Sequence, residues 1–244
     1  MCYTGTNLNN SDECRNAVEM NERFIRRCTE LWDRFAGLPA CDDLIYNAVK
    51  DEFPQAYLAS MDNYCYLPPP GEPAMNRLGD EFSGDMSQEG PEGGMSPEEG
   101  ANPDFSRMPP EMQEVQKTLS QGRILSNSIY QLLFDWVNIY SAVVQGHDRR
   151  EGLQVLTLLA MIQANLRSGL DNLAFEQPHM ASALLERVLN LHRECARIIG
   201  EMLKKSAPLR QVFQSRYDGM TTLDAGFVSL LERSRRIAED QSPF

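Results

Sequence analysis

Histidines are the first side chains to consider for chemistry, because an imidazole can transfer protons or bind a metal near neutral pH. The sequence has three, at His147, His179 and His192. In the segment EQPH, Glu176 and His179 have the spacing used by carboxylate-bridged metal sites in helical bundles, but Pro178 lies between them and the motif is not repeated. We therefore expect His179 to lie at a helix start without a metal, and His192 to be hydrogen-bonded beside an apolar stripe.

The six cysteines do not follow a metal-binding pattern. Five fall in the first 66 residues without a CxxC pair, at Cys2, Cys14, Cys28, Cys41 and Cys65. Zinc sites normally use ligands that are paired closely in sequence. We predict no metal and no cofactor, and we expect the cysteines to be reduced and to act as small buried hydrophobic side chains.

Motifs for nucleophilic or phosphate chemistry are missing from the sequence. It contains no GxSxG, GxGxxG or GxxxxGK, and the glycines of residues 84–100 lie among acids that would repel a phosphate. A site assembled from distant residues would leave no such motif. The sequence favours a non-enzymatic protein with no predicted catalytic residues.

A linear interaction motif is predicted in the segment NRLGDEFSGDM. Leu78, Phe82 and Met86 are spaced four residues apart with acids between them, so on a helix they would share one face. Such a face could enter an apolar groove of a partner protein. Gly79 and Gly84 oppose this helix by about 1 kcal/mol each, and the alternative is a solvated spacer.

A basic stretch forms a second candidate interaction site. Residues 186–216 have a net charge of +4 and include Arg187, Arg193, Arg197, Lys204, Lys205 and Arg210. By itself, such a run is typical of the solvated face of a helix. Because residues 67–108 have a net charge of −7, our hypothesis is that this acidic segment lies over the basic face and competes with an outside acidic partner.

The elements that would position these residues are helices, and the sequence predicts an all-α fold in three parts. In residues 1–66, an apolar stripe from Cys14 to Phe35 and a shorter helix form a helical hairpin. The shorter helix is expected to bury Leu44, Ile45, Ala48, Val49 and Phe53. Residues 67–110 contain nine prolines and seven glycines and are predicted to be a disordered acidic linker. We leave open whether the hairpin docks on the rest of the chain.

Residues 111–244 are predicted to form an antiparallel bundle of four to five helices, because long amphipathic stretches alternate with short turns. The first is the most apolar around its circumference, so we expect it to be central. Asp148 and Glu151 predict a capping box on the second helix. The third starts near Pro178, and the segment DGMTT, residues 218–222, is expected to bend or break the last.

These features favour a non-enzymatic interaction protein, such as an adaptor, chaperone or assembly factor with one or more protein partners. The first alternative is a self-assembling structural or scaffolding subunit, and the second is a nucleic-acid-binding protein that uses the basic face. The longest apolar run carries Asp135 and Asn138, so we predict no membrane insertion. Without a signal-peptide pattern in MCYTGTNLNN, we expect a cytoplasmic or nuclear location.

Overall fold

The computed structural model describes residues 11–35, 38–58, 109–144 and 148–240, and all regular secondary structure in these ranges is helical. The N-terminal part contains α1 (Ser11–Phe35), α2 (Cys41–Val49) and the single turn α3 (Gln55–Leu58). The C-terminal part contains α4 (Pro110–Ile139), α5 (Arg149–Ala174), α6 (Pro178–Lys205) and α7 (Arg210–Asp240), and a π-helical turn (Tyr140–Val144) follows α4. The all-α prediction is therefore confirmed. The predicted linker lies outside the described residues except for Pro109 and Pro110.

Helices α4 to α7 form a closed, antiparallel four-helix bundle in which each helix packs on the next and α7 returns to α4. Side-chain contacts fix the antiparallel directions. Between α6 and α7, the Ser182 and Ser234 hydroxyls are 2.9 Å apart, and Arg193, later in α6, pairs with Asp224, earlier in α7. Between α4 and α7, Gln121 donates a 3.2 Å hydrogen bond to the Gly226 carbonyl, and Asp135, later in α4, pairs with Arg216, earlier in α7. This confirms the predicted C-terminal bundle.

Helix α5, and not the predicted α4, is the central helix. Every residue from Val155 to Ile162 is buried, so α5 is covered on all sides, by α1, α4 and α6. The outer side of α4 is exposed instead, and Ile124 shows 68% of its surface to solvent. The sequence of α4 suggested a central helix because it has few charges. Which helix is central depends instead on how many other helices pack around it, and that number cannot be read from the helix's own sequence.

Helix α7 runs without a break through residues 218–222, so a helix break at DGMTT is wrong. The hydroxyls of Thr221 and Thr222 bond back to the Asp218 carbonyl and thereby satisfy their own polar groups within the helix. Met220 is buried, and Gly219 approaches Leu132 of α4, where a Cβ would be 3.3 Å from Leu132 Cδ2. Tertiary packing therefore overrides the weak local helix propensity of this segment.

Two local predictions are also corrected. Asp148 precedes α5 without making a side-chain capping bond, because its carboxylate instead accepts a 2.8 Å hydrogen bond from Ser206 Oγ at the end of α6. In α2, Ile45 and Val49 are buried as predicted, but Leu44 is 38% exposed. It directly precedes the buried Ile45, and because successive residues of an α-helix point about 100° apart, Leu44 faces solvent beside the buried side.

The N-terminal helices pack on the bundle. Helix α1 contacts α5, while α2 covers α1 on another side. Phe24 of α1 and Phe53, just after α2, meet edge to face with ring centroids 4.9 Å apart. The buried side chains of α1 and α2 belong to the same hydrophobic core as those of the bundle. The question that the sequence left open is answered by this contact: the N-terminal hairpin docks.

Candidate functional site

The candidate site is the surface of the C-terminal bundle on which α1 packs, where the N-terminal and C-terminal parts of the chain meet. Along α1, Phe24, Ile25, Cys28, Leu31 and Trp32 are buried and form one continuous apolar stripe. Cys28 and Trp32 recur at the helical spacing that the sequence analysis identified, so this face is confirmed as the packing face. A polar cluster lies near each end of the stripe, and both clusters join α1 to the bundle.

The first cluster is built around Glu22, whose side chain is only 8% exposed. Arg187 of α6 forms a bidentate pair with this carboxylate. Its Nε donates to Oε1 at 2.7 Å, and its Nη2 donates to Oε2 at 2.6 Å. Asn165 of α5 adds a 3.2 Å hydrogen bond from Nδ2 to Oε1. The bond to Glu22 raises the pKa of Arg187. This arrangement compensates a buried negative charge by a bidentate pair, the strongest geometry for such contacts.

The second cluster is built around Asp33, near the C-terminal end of α1, whose side chain is 9% exposed. The Tyr140 hydroxyl donates a 2.6 Å hydrogen bond to Oδ1, and Arg149 donates to Oδ2 from Nε at 3.2 Å and from Nη2 at 2.7 Å. Burial, together with the bond to the Asp33 carboxylate, raises the pKa of Tyr140. The tyrosine therefore stays neutral and acts as a donor, and Asp33 has a partner on each oxygen.

The two clusters share one side of α1. Glu22 and Asp33 are eleven residues apart, which is three helical turns and about 16 Å along the axis. Since Asp33 meets the first residue of α5 and Glu22 meets Asn165 farther along it, α1 runs antiparallel to α5. We call the surface formed by Tyr140, Arg149, Asn165 and Arg187, with the buried side of α5 between them, the α1 groove.

The close approach of α5 to the end of α4 shapes one end of this groove. Trp136 donates a 2.9 Å hydrogen bond from Nε1 to the Gly152 carbonyl. A Cβ on Gly152 would overlap Val144 and come within 2.8 Å of Tyr140 Cδ2, so only glycine fits here without rearrangement. Tyr140, the first residue of the π-helical turn, is thereby held between Gly152 and α1, where its hydroxyl reaches Asp33.

Most of the predicted basic face is paired with acids of the same chain. Arg187 binds Glu22, Arg193 binds Asp224 at 3.1 Å, Arg197 binds Glu194 and Glu201, and Lys205 lies 3.5 Å from Glu151. Lys204 and Arg210 have no ion-pair partner among the described residues. Arg210 lines an open surface groove of about 750 Å³ together with Pro208 and Gln214. The structure thus distributes the predicted basic residues over several separate pairs, and only Arg187 reaches the α1 groove.

The remaining predicted residues have different positions. Leu78, Phe82 and Met86 lie outside the described residues. His192 is fully buried, and its Nε2 donates to the Met220 carbonyl at 2.9 Å. Its ring is tilted against that of Phe227 with the centroids 4.9 Å apart, and burial lowers its pKa. Its hydrogen bond was predicted, although its complete burial was not. Within the described ranges, no three His, Cys, Asp or Glu side chains are arranged to hold a metal ion.

Sequence reasoning missed five residues of the α1 groove and its ligands: Glu22, Asp33, Tyr140, Arg149 and Asn165. Their roles depend on contacts between residues that are more than 100 positions apart. The one local signal was the eleven-residue spacing of two acids along the edge of an apolar stripe.

Comparison with known proteins adds no relative: no family model, no curated protein and no solved structure matches the chain. None of the helices in the described part of the chain is long and apolar enough to cross a membrane.

Proposed function

We propose that the protein is a non-enzymatic interaction protein, an adaptor, chaperone or assembly factor that binds other proteins through helical surfaces. The observation that supports this function is the α1 groove, in which a four-helix bundle receives an amphipathic helix through an apolar stripe and a charged cluster near each end. Laying an amphipathic helix into a groove is a recurrent mode of protein recognition. The bundle therefore has the chemistry of a helix receptor.

The distribution of charge agrees with protein partners better than with nucleic acid. Binding to a phosphate backbone needs several unpaired cations on one surface. In this chain Arg193, Arg197 and Lys205 already have carboxylate partners. The linear motif of Leu78, Phe82 and Met86 remains part of the proposal as a second point of contact with a partner.

A pull-down with tagged full-length protein from native lysate tests this function. Eluted proteins are identified by mass spectrometry, nucleic acid is stained in the same eluate, and a variant lacking residues 67–108 is run in parallel. A stoichiometric protein in the full-length eluate supports the proposal, and its loss with the deletion places the contact in the acidic segment. An eluate with only the bait in large complexes would favour self-assembly, and nuclease-sensitive retention would favour nucleic-acid binding; either result would refute the proposal.

A further inference from the structure

We propose that the α1 groove is the partner-binding site and that α1 occupies it as a competing internal ligand. The partner is a protein that presents an amphipathic helix with two carboxylates three turns apart, one at each end of an apolar stripe. This inference rests on the proposed interaction function, since it names the surface and the chemistry of the partner.

The groove itself specifies that chemistry. Arg187 and Arg149 present guanidinium groups at its two ends, and each meets a carboxylate in bidentate or forked geometry. The acids on α1 are the buried members of the pairs, with side-chain exposures of 8% and 9%, while the two arginines keep 44% and 58% of their side-chain surface in water. The arginines therefore belong to the receptor surface and remain hydrated there when no helix is bound.

The occupying helix does not satisfy the groove completely. Asn165 is 1% exposed, and its Nδ2 bonds to Glu22, but its Oδ1 has no hydrogen-bond partner in the structure. A buried acceptor without a partner is unfavourable. A partner helix that places a donor, such as an amide or hydroxyl, beside its first carboxylate would make one bond more than α1 makes. This is a physical reason why an outside helix can compete with α1.

The architecture allows α1 to leave. The ring of α4, α5, α6 and α7 is closed by its own contacts and does not need α1 to join its ends. Fifty residues of chain, 59–108, separate Leu58 from Pro109, so release of the N-terminal helices does not require α4 to move with them. Release uncovers the apolar side of α5 between the two arginines, which is the surface that the partner helix covers.

The test uses the full-length chain and two labelled peptides, because a charge exchange across the Glu22–Arg187 pair gives a result that general destabilisation cannot imitate. One peptide has the native sequence of residues 11–35, and the second has Glu22→Arg. The chains are wild type, Glu22→Arg and Arg187→Glu, with Arg193→Glu as a control that breaks an exposed pair on the same helix. Binding is measured by fluorescence anisotropy, and folding of each chain is checked by circular dichroism.

We expect the wild-type and Arg193→Glu chains to bind both peptides weakly, because α1 occupies the groove. The Glu22→Arg chain should bind the native peptide about tenfold more tightly than wild type does, and the Arg187→Glu chain should show the reverse preference, for the Glu22→Arg peptide. Equal binding of both peptides by both opened chains, or no gain over wild type, would overturn the inference. If Arg187→Glu does not fold, Arg149→Glu with a peptide carrying Asp33→Arg repeats the design at a more exposed pair.

The same variants separate this inference from the proposed function. A protein partner that is recovered by the wild-type chain but is recovered equally by Glu22→Arg and Arg187→Glu binds elsewhere, so the inference fails while the function stands. Crossed peptide preference without any protein partner in the pull-down supports the groove and contradicts the proposed function. A partner whose recovery increases with Glu22→Arg and is lost with Arg187→Glu supports both.

Discussion

The Glu22–Arg187 pair should contribute more to stability than any exposed ion pair on α6, and Arg187→Ala is the substitution that tests it. Removing Arg187 leaves the Glu22 carboxylate, 8% exposed, with Asn165 as its remaining hydrogen-bond donor. Loss of one partner of a fully buried pair costs about 3–5 kcal/mol. Because 44% of the Arg187 side chain is exposed and water can enter in its place, we reduce the expected loss to about 2–3 kcal/mol.

The matched control is Arg193→Ala, six residues farther along α6. Arg193 also pairs with a carboxylate on another helix, Asp224, but both side chains are exposed, by 55% and 39%. The expected loss there is much smaller, because solvent and salt screen an exposed ion pair. Urea unfolding followed by circular dichroism at pH 7 gives both values, and double-mutant cycles with Glu22→Ala and Asp224→Ala give the two coupling energies. The reasoning is refuted if Arg187→Ala loses no more stability than Arg193→Ala.

Three further outcomes are expected from the packing. Burial lowers the pKa of His192, so as the pH decreases the unfolded chain takes up a proton, near the ordinary histidine pKa of about 6.5, before the folded chain does. Stability should therefore fall as the pH decreases through that value, by at most about 1.4 kcal/mol per pH unit for this group. His192→Gln, which keeps a hydrogen-bond donor, should flatten this part of the stability profile measured by urea unfolding. Gly152→Ala should lower stability by about 1–3 kcal/mol, because the new Cβ would overlap Val144 and Tyr140. Gly219→Ala should cost less, because its new Cβ would meet the end of the Leu132 side chain at 3.3 Å and alanine favours the helix. Equal losses in thermal melts would contradict the packing argument. Tyr140→Phe should cost about 1–2 kcal/mol, because it removes the hydrogen bond from the buried hydroxyl to the Asp33 carboxylate. An unchanged melting temperature would show that this bond does not contribute to stability.

Periodicity was sufficient to predict the fold because the core follows it closely. In α6, the apolar residues that recur every three or four positions are all buried, from Ala181 through Val188 and Cys195 to Met202. A stripe of this kind is encoded locally, by which residues recur every three or four positions. The same local information failed at residues 218–222, where Gly219 packs near Leu132 of α4 and Met220 is buried in the bundle.

The candidate site was much harder to predict from the sequence than the fold. It consists of polar residues, and some of them lie at buried positions where the apolar repeat of a helix predicts hydrophobic side chains. Asn165 lies within the most deeply buried helix, and its partner Glu22 is 143 residues away. The basic stretch was noticed because its charges are close in sequence, yet the acids that bind Arg187 and Arg193 come from α1 and α7. Net charge along a sequence cannot reveal neutralisation by a distant helix.

The unequal burial within the two clusters has a consequence for the selectivity of the proposed partner site. In each pair the acid on the helix is desolvated and the arginine on the bundle is largely hydrated. A neutral helix would leave the hydrated arginines nearly as they are, but it would take away the carboxylate acceptors of the buried Asn165 amide and Tyr140 hydroxyl. A helix with a lysine or arginine at either position would bury that cation against a guanidinium, where no carboxylate can compensate it. The α1 groove should therefore discriminate through repulsion of basic helices more strongly than through attraction of acidic ones.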